Sequence, residues 1–332
     1  ILIIVLATTG KESSASSEED ETADLEPLGV IECLYDIQTK SEPTDLLSEE
    51  FDNNFLMSIV IEGIQVKYSK SYKFENTGLN EVKFYIFDKA IQINNMFKDV
   101  DALTSVKFDT NLNIKITSME SLFENCISLE KFEINGFDTS EVKSLKKLFY
   151  NSIIYSSLDF LDRISTKNIT DMSYMFSESD VDLFSPENLD LSSVTDMSHM
   201  FENCNSLTGV LLPENVNSNH LTDISFMFKG CESLEDLDIE SLNTNQVESM
   251  AGTFQDCSYL SSIDVSKFDT SKVTDMSYMF QNCNSLRELV LDNFKTENVK
   301  NMSHMFDYCN LMTSLYISKF KTQNVVDMSY MF

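Results

Sequence analysis

The side chains best suited to chemistry in this 332-residue chain recur at nearly constant intervals. Cys204, Cys231, Cys257, Cys283 and Cys309 lie 26 or 27 residues apart, Cys126 falls in the same register, and Cys33 stands outside it. Methionine follows the same rhythm, in Met276, Met302 and Met328 and in Met279, Met305 and Met331. Thiols beside thioethers are soft-metal ligands, and cysteines of a secreted chain form disulfides. In stacked repeats, however, equivalent thiols point the same way, which strains a bridge, and the methionines sit at core spacing. The expectation is therefore buried, reduced thiols filling small apolar gaps, with no metal. Nucleophilic catalysis would need a fixed His or Asp beside each Cys. His199, His220 and His304 are the only histidines, and no two have ligand or catalytic spacing. The eight glycines form no phosphate-cradling loop and no Gly-x-Ser-x-Gly turn. No enzymatic activity and no cofactor are expected.

The elements that position these residues follow from ten phenylalanines, Phe97, Phe123, Phe149, Phe176, Phe201, Phe228, Phe254, Phe280, Phe306 and Phe332, spaced 25 to 27 residues apart. Such a period marks a solenoid, whose units bury their apolar faces only against one another. Within a unit, Leu286, Leu289 and Leu291 end in strand-like alternation. Val273, Met276, Met279, Phe280 and Cys283 have offsets that fit one face of a short helix. The sequence thus predicts an α/β solenoid of about nine 25–27-residue strand-turn-helix units. Asp171, Asp196, Asp223, Asp275 and Asp327, with Asn301, are placed to cap the first turn of each helix. Parallel pairing of successive units would make a ribbon about 43 Å long. The uneven intervals between Phe149 and Phe228 predict a bend or bulge there, with Ser152 and Ser179 replacing the repeat cysteine.

Before the array the composition changes three times. Residues 1–10 read as the remnant of a signal-peptide hydrophobic region. Residues 11–52 read as an acidic, disordered stalk. Residues 53–95 alternate like antiparallel strands and predict a small β module capping the solenoid of residues 96–332, which stops within a repeat. The formal charge of −30 repels nucleic acid and anionic headgroups, so any electrostatic partner should be basic or cationic. Beyond the first residues no run is apolar enough to span a bilayer.

Two residues before the repeat phenylalanines from Phe176 to Phe332 runs a column of Tyr174, His199, Phe226, Gly252, Tyr278, His304 and Tyr330. Its aromatic members are candidates for partner contact, or padding for the seam between neighbouring units. Cys204, Cys231, Cys257, Cys283 and Cys309 with Phe228, Phe254, Phe280 and Phe306 are read as a structural core ladder. Asn168-Ile169-Thr170 and Asn301-Met302-Ser303 fit the glycosylation sequon, though each Asn adjoins a core position.

The unit Val273-Thr274-Asp275-Met276-Ser277 followed by Met279-Phe280-x-x-Cys283-x-x-Leu286-x-x-Leu289-x-Leu291 resembles the leucine-rich repeats of BspA-like surface proteins. It is most similar to the Met-Phe variant of mycoplasma surface lipoproteins and protist surface proteins. The resemblance covers residues 96–332 and implies a secreted or cell-surface location. It further implies a solenoid without catalysis that binds an extracellular protein or cell-surface ligand. Bacterial lipid anchoring finds no support, because the first cysteine, Cys33, lies in no lipobox. The other expectation is a structural spacer or coat component that self-associates.

Overall fold

The computed structural model describes residues 22, 25–154, 158–214 and 216–332. The signal-peptide reading of residues 1–10 lies outside them, as does the start of the expected stalk. From Gly29 the stalk assignment is corrected. Ile31, Cys33, Tyr35 and Ile37 alternate inward along β1 (Gly29–Ile37), a central strand with a fully buried face. The acidic run upstream of it masked that alternation.

The strands that follow are β2 (Thr44–Asp45), β3 (Met57–Ile61), β4 (Ile64–Val66), β5 (Ser71–Tyr72), β6 (Gly78–Ile86), β7 (Ala90–Gln92), β8 (Leu103–Asp109), β9 (Lys115–Ser118) and β10 (Lys131–Asn135). One six-stranded sheet runs in the order β10-β8-β1-β6-β3-β4. At one end of it β10 and β8 pair in parallel and are the strands of the first rungs. β1 pairs antiparallel with β8, so the cap adds its strand directly to the solenoid sheet. Tyr35 Oη donates to the Leu46 carbonyl at 2.6 Å, and Phe84 meets Phe97 edge-on at 6.1 Å, joining the cap to the phenylalanine ladder. The capping module is thus larger than residues 53–95 and encloses the first rungs.

The rest is a β-solenoid of about nine rungs among the described residues. Its strand side carries β11 (Leu183–Phe184), β12 (Gly209–Leu211), β13 (Asp236–Asp238), β14 (Glu288–Val290) and β15 (Ser314–Tyr316), paired in parallel where they are neighbours. Among the described residues the expected helices of the repeat are absent, which corrects the strand-turn-helix unit. Among the described residues the one α-helix is α1 (Phe160–Arg163), inside the irregular rung between Phe149 and Phe176.

Hydrogen bonding explains why the helical spacing misleads. In the rung of Phe280, Met276, Tyr278, Phe280 and Asn282 each donate their backbone N–H to the following rung, at 2.8–3.0 Å. The residues between them close tight turns instead: Met279 donates to Met276, Gln281 to Tyr278 and Cys283 to Phe280. A ladder of successive turns brings side chains inward with nearly the spacing of a helix, while half of its N–H groups serve the neighbour. A lone helix of this length would be marginal, and burial of a repeating edge favours sharing the bonds between rungs.

The irregular intervals leave the core untouched. Phe149–Phe176, Phe176–Phe201 and Phe201–Phe228 stack at 5.8, 5.6 and 5.7 Å with ring planes within 6° of parallel. The inserted residues are taken up on the strand side, where α1 forms and Phe160 packs on Phe132 and Phe149.

Candidate interaction surface

Several columns of side chains are set by the stacking of the rungs. The first is buried from Phe97 to Phe306. Each phenylalanine from Phe97 to Phe332 stacks on the next at 5.3–6.0 Å. Offset stacking of this kind adds to the area term of each ring.

The cysteine column does more than fill space. Cys204, Cys231, Cys257, Cys283 and Cys309 donate their thiols to Phe176, Phe201, Phe228, Phe254 and Phe280 carbonyls of the preceding rung at 2.9–3.1 Å. Ser152, in the cysteine position, makes the same bond to Phe123. All seven cysteines are free thiols. Burial pushes the Cys204 thiol up to about 12 and the less enclosed Cys309 thiol up to about 11, which leaves them unreactive at neutral pH. Among the described residues no group of His, Cys, Asp or Glu could hold a metal ion.

A third column was legible in part. Asp275 Oδ1 accepts the Ser277 N–H at 2.8 Å and its hydroxyl at 2.6 Å, and Asn301 does the same for Ser303 at 3.0 and 2.8 Å. These are Asx turns that start each turn ladder rather than helix caps. Parallel bridges join their backbones from Ser144 to Asp327.

The aromatic column lies at the surface beside them. Tyr174 and His199 stack at 4.3 Å, His199 and Phe226 at 5.0 Å, Tyr278 and His304 at 4.8 Å, and His304 and Tyr330 at 4.9 Å. Every member has a positive φ, between 54° and 60°. Each is the third residue of its turn, where a left-handed conformation is required and where glycine or asparagine is the low-cost choice. A neighbouring left-handed column uses such residues in several rungs, with Asn203, Gly230 and Asn282, beside Glu178, Asp256 and Tyr308 in others. The amide of Asn282 even donates to Asp256 across the rung at 2.9 Å. Aromatic side chains in the other column therefore carry a backbone cost that ring stacking offsets.

Gly252 breaks that column in two. A Cβ there would collide with the Phe226 ring, which leans over the vacant position, and no ring contact joins Phe226 to Tyr278 among the described residues. Carboxylates flank the rings. His199 Nδ1 meets Glu202 Oε2 at 2.6 Å, and Lys229 reaches Glu202 Oε1 at 2.7 Å. Burial alone would raise the Glu202 carboxyl, but the His199 and Lys229 hydrogen bonds outweigh it and hold the group below the usual range. His304 Nδ1 similarly meets Asp307 Oδ2 at 2.9 Å. Burial, then the Glu202 and Asp196 carboxylates, push the Tyr174 phenol up.

One column escaped the sequence reading. Thr244, Thr270 and Thr296 are buried, and each hydroxyl accepts an N–H from the next rung and donates to the carbonyl of the same residue. Thr270, for instance, serves Lys295 at 2.7 and 3.1 Å. The 26-residue spacing of these threonines was the available signal. Of the two sequons, Asn168 is exposed with its amide on the Ser140 carbonyl, whereas the Asn301 Oδ1 is engaged in its turn.

A family model described as "Mycoplasma protein of unknown function, DUF285" matches residues 91–210, 184–287 and 251–332. No curated protein matches the chain. Two solved structures are similar to it. A leucine-rich repeat protein from Bacteroides ovatus is 14% identical, with 80% of this chain and 88% of that chain covered and a TM-score of 0.30. A leucine rich cell surface protein from Faecalibacterium prausnitzii is 17% identical, with 74% and 87% covered and a TM-score of 0.25.

Proposed function

Because the chain belongs to the DUF285 family, within the BspA-like leucine-rich-repeat proteins, we propose that it is a non-enzymatic surface protein that binds an extracellular protein or cell-surface ligand through the exposed side of its solenoid. The observation that carries this reading is the contrast between rungs. Leu289 and Leu291 are buried and repeat as Leu315 and Ile317, while the outward Glu288 and Val290 give way to Ser314 and Tyr316. A scaffold that holds its core and varies its surface is the arrangement by which solenoids recognise ligands.

Asp292 and Asn293, which stand where the following rung has Ser318 and Lys319, are not free for contact. Asp292 accepts the Ser318 N–H and hydroxyl at 2.9 Å, and the Asn293 amide donates to the Val265 carbonyl at 3.0 Å, so both serve the scaffold. No helix among the described residues is long and apolar enough to cross a membrane.

The soluble array, added to intact cells and used in pull-downs from extracellular fractions, should recover a saturable partner. Recovery of none, with cells unaffected, overturns the reading. The competing role of a self-associating spacer finds an obstacle in the cap, whose strand β1 already pairs with the first-rung strand β8. Light scattering at high concentration decides between the two: a monomer excludes the spacer.

A further inference from the structure

We propose that the solenoid is hinged at the rung of Phe254: its strand side parts along residues 261–264, while its turn ladder and phenylalanine ring stay joined to both neighbouring rungs and form the pivot. The inference goes beyond the binding reading and stands without it.

The strand side is bonded before and after this rung and unbonded within it. β11, β12 and β13 form one parallel sheet and β14 and β15 another, with residues 261–264 between them in no strand. In the sheets, Glu235 donates its N–H to the Thr208 carbonyl at 3.0 Å, Leu212 to Asp238 at 3.1 Å, Thr313 to Arg287 at 2.8 Å and Leu291 to Tyr316 at 2.9 Å. The corresponding N–H groups around residues 261–264 are those of Ser261, Ile239, Arg287 and Val265. Among the described residues none of them donates to a neighbouring rung. Ile263 is half-buried there, where its counterparts Val210 and Leu289 are buried.

The opposite side of the same rung is intact. Phe226 and Phe228 donate to the Ala251 and Thr253 carbonyls at 2.7 and 3.0 Å, and Gly252 and Phe254 donate to those of Ser277 and Met279 at 2.8 and 3.0 Å. The Phe254 ring stacks on Phe228 at 5.8 Å and on Phe280 at 5.4 Å. One bonded side facing one unbonded side is hinge geometry, in which a few residues absorb the change while the bodies beside them move as units.

Two features keep the strand side from closing. Val290 and Tyr316 face one another across β14 and β15 as an apolar pair, but the two preceding rungs carry Asp238 and Asp264 in that position, both exposed. Like charges opposite one another on adjacent strands oppose pairing. The Ser266 hydroxyl and N–H, the latter at 2.8 Å, hold the Asp264 carboxyl below the usual range, so it stays ionised at neutral pH. The rung also has Gly252 and Thr253 where the next has Tyr278 and Met279, side chains with fewer contacts to lose when the neighbours tilt.

The test places nitroxide labels in the full chain at Asp236→Cys/Glu288→Cys, two rungs apart across the parting, and at Leu183→Cys/Asp236→Cys, two rungs apart within the bonded sheet. All three positions are exposed, and the unsubstituted chain labelled in parallel gives the background from half-buried Cys309. Spin–spin distances should be distributed more broadly across the parting than within the sheet. Hydrogen exchange should run about tenfold or more faster at residues 261–264 than at Leu291, with Gly252 and Phe254 as protected as Leu291, because bonded amides exchange only through local opening. Asp238→Asn/Asp264→Asn removes the facing charges, keeps the Oδ1 that Ser266 uses, and should narrow the first distribution and slow exchange at 261–264. Equal widths in the two labelled pairs, or exchange at 261–264 as slow as at Leu291, overturns the hinge. Fast exchange that reaches Gly252 and Phe254 overturns it as well, because the rung would then open without a pivot. An asparagine variant as broad as its parent overturns charge repulsion as what holds the strand side apart. Matching urea midpoints confirm that the variants fold.

Discussion

The Cys283 thiol donates to the Phe254 carbonyl of the preceding rung at 3.0 Å. That carbonyl also receives the Cys257 N–H at 3.3 Å, so the cysteine column ties each turn ladder to the one before it. The arrangement gives each thiol a directional role, which a small apolar plug would not have. Cys283→Ser, which keeps a donor, should therefore cost less than Cys283→Ala, by about 0.5–1.5 kcal/mol. Urea unfolding midpoints check the order; equal loss in both variants would mean that the thiol acts by volume alone.

Thiol reactivity should separate by position. Cys309 is half-buried and its thiol is pushed up less than that of Cys204. Timed alkylation at pH 8 with mass spectrometry should modify Cys309 first, and the enclosed thiols only when denaturant opens the rungs.

Glycine substitutions should rank by what the new methyl meets. At Gly136, φ 76°, a Cβ would strike the Thr110 backbone carbonyl, which cannot move aside. At Gly252 it would strike the Phe226 ring, which can. Gly136→Ala should be the more damaging, and Gly252→Ala should cost about 1–3 kcal/mol from backbone strain and ring displacement. Thermal melts of the two variants give the comparison.

Thr270→Val should destabilise by about 1–3 kcal/mol, because it leaves the Lys295 N–H and carbonyl without their buried partner. Thr270→Ser should recover most of that loss. A valine variant as stable as wild type would remove the threonine column from the list of inter-rung ties.

Acid sensitivity should depend on Glu202. Its carboxyl is held below the usual range in the folded chain, so its contribution to stability is full above the unfolded value of about 4.3 and disappears as pH falls through the folded value. The melting temperature of wild type should thus fall more steeply below pH 4.3 than that of Glu202→Gln. Parallel curves would show that the His199–Glu202–Lys229 contact adds no pH-linked stability.

The period of Phe97 to Phe332 by itself determined that the chain stacks rungs, which residues face the core, and that Cys and Met line that core, because side chains packed between stacked rungs must repeat with the rung. The same spacing misassigned the turn ladder as a helix: offsets of three and four residues say which side chains share a face and nothing about where the N–H groups go. Those partners sit one rung away, about 26 residues along the chain, at the Ser303 carbonyl for the Tyr278 N–H and at the Thr270 hydroxyl for the Lys295 N–H. The tertiary structure alone decided the left-handed backbone of the aromatic column, the placement of the Phe226 ring over Gly252, and the recruitment of Gly29–Ile37 into the cap. Each of these depends on a neighbour that local sequence does not contain.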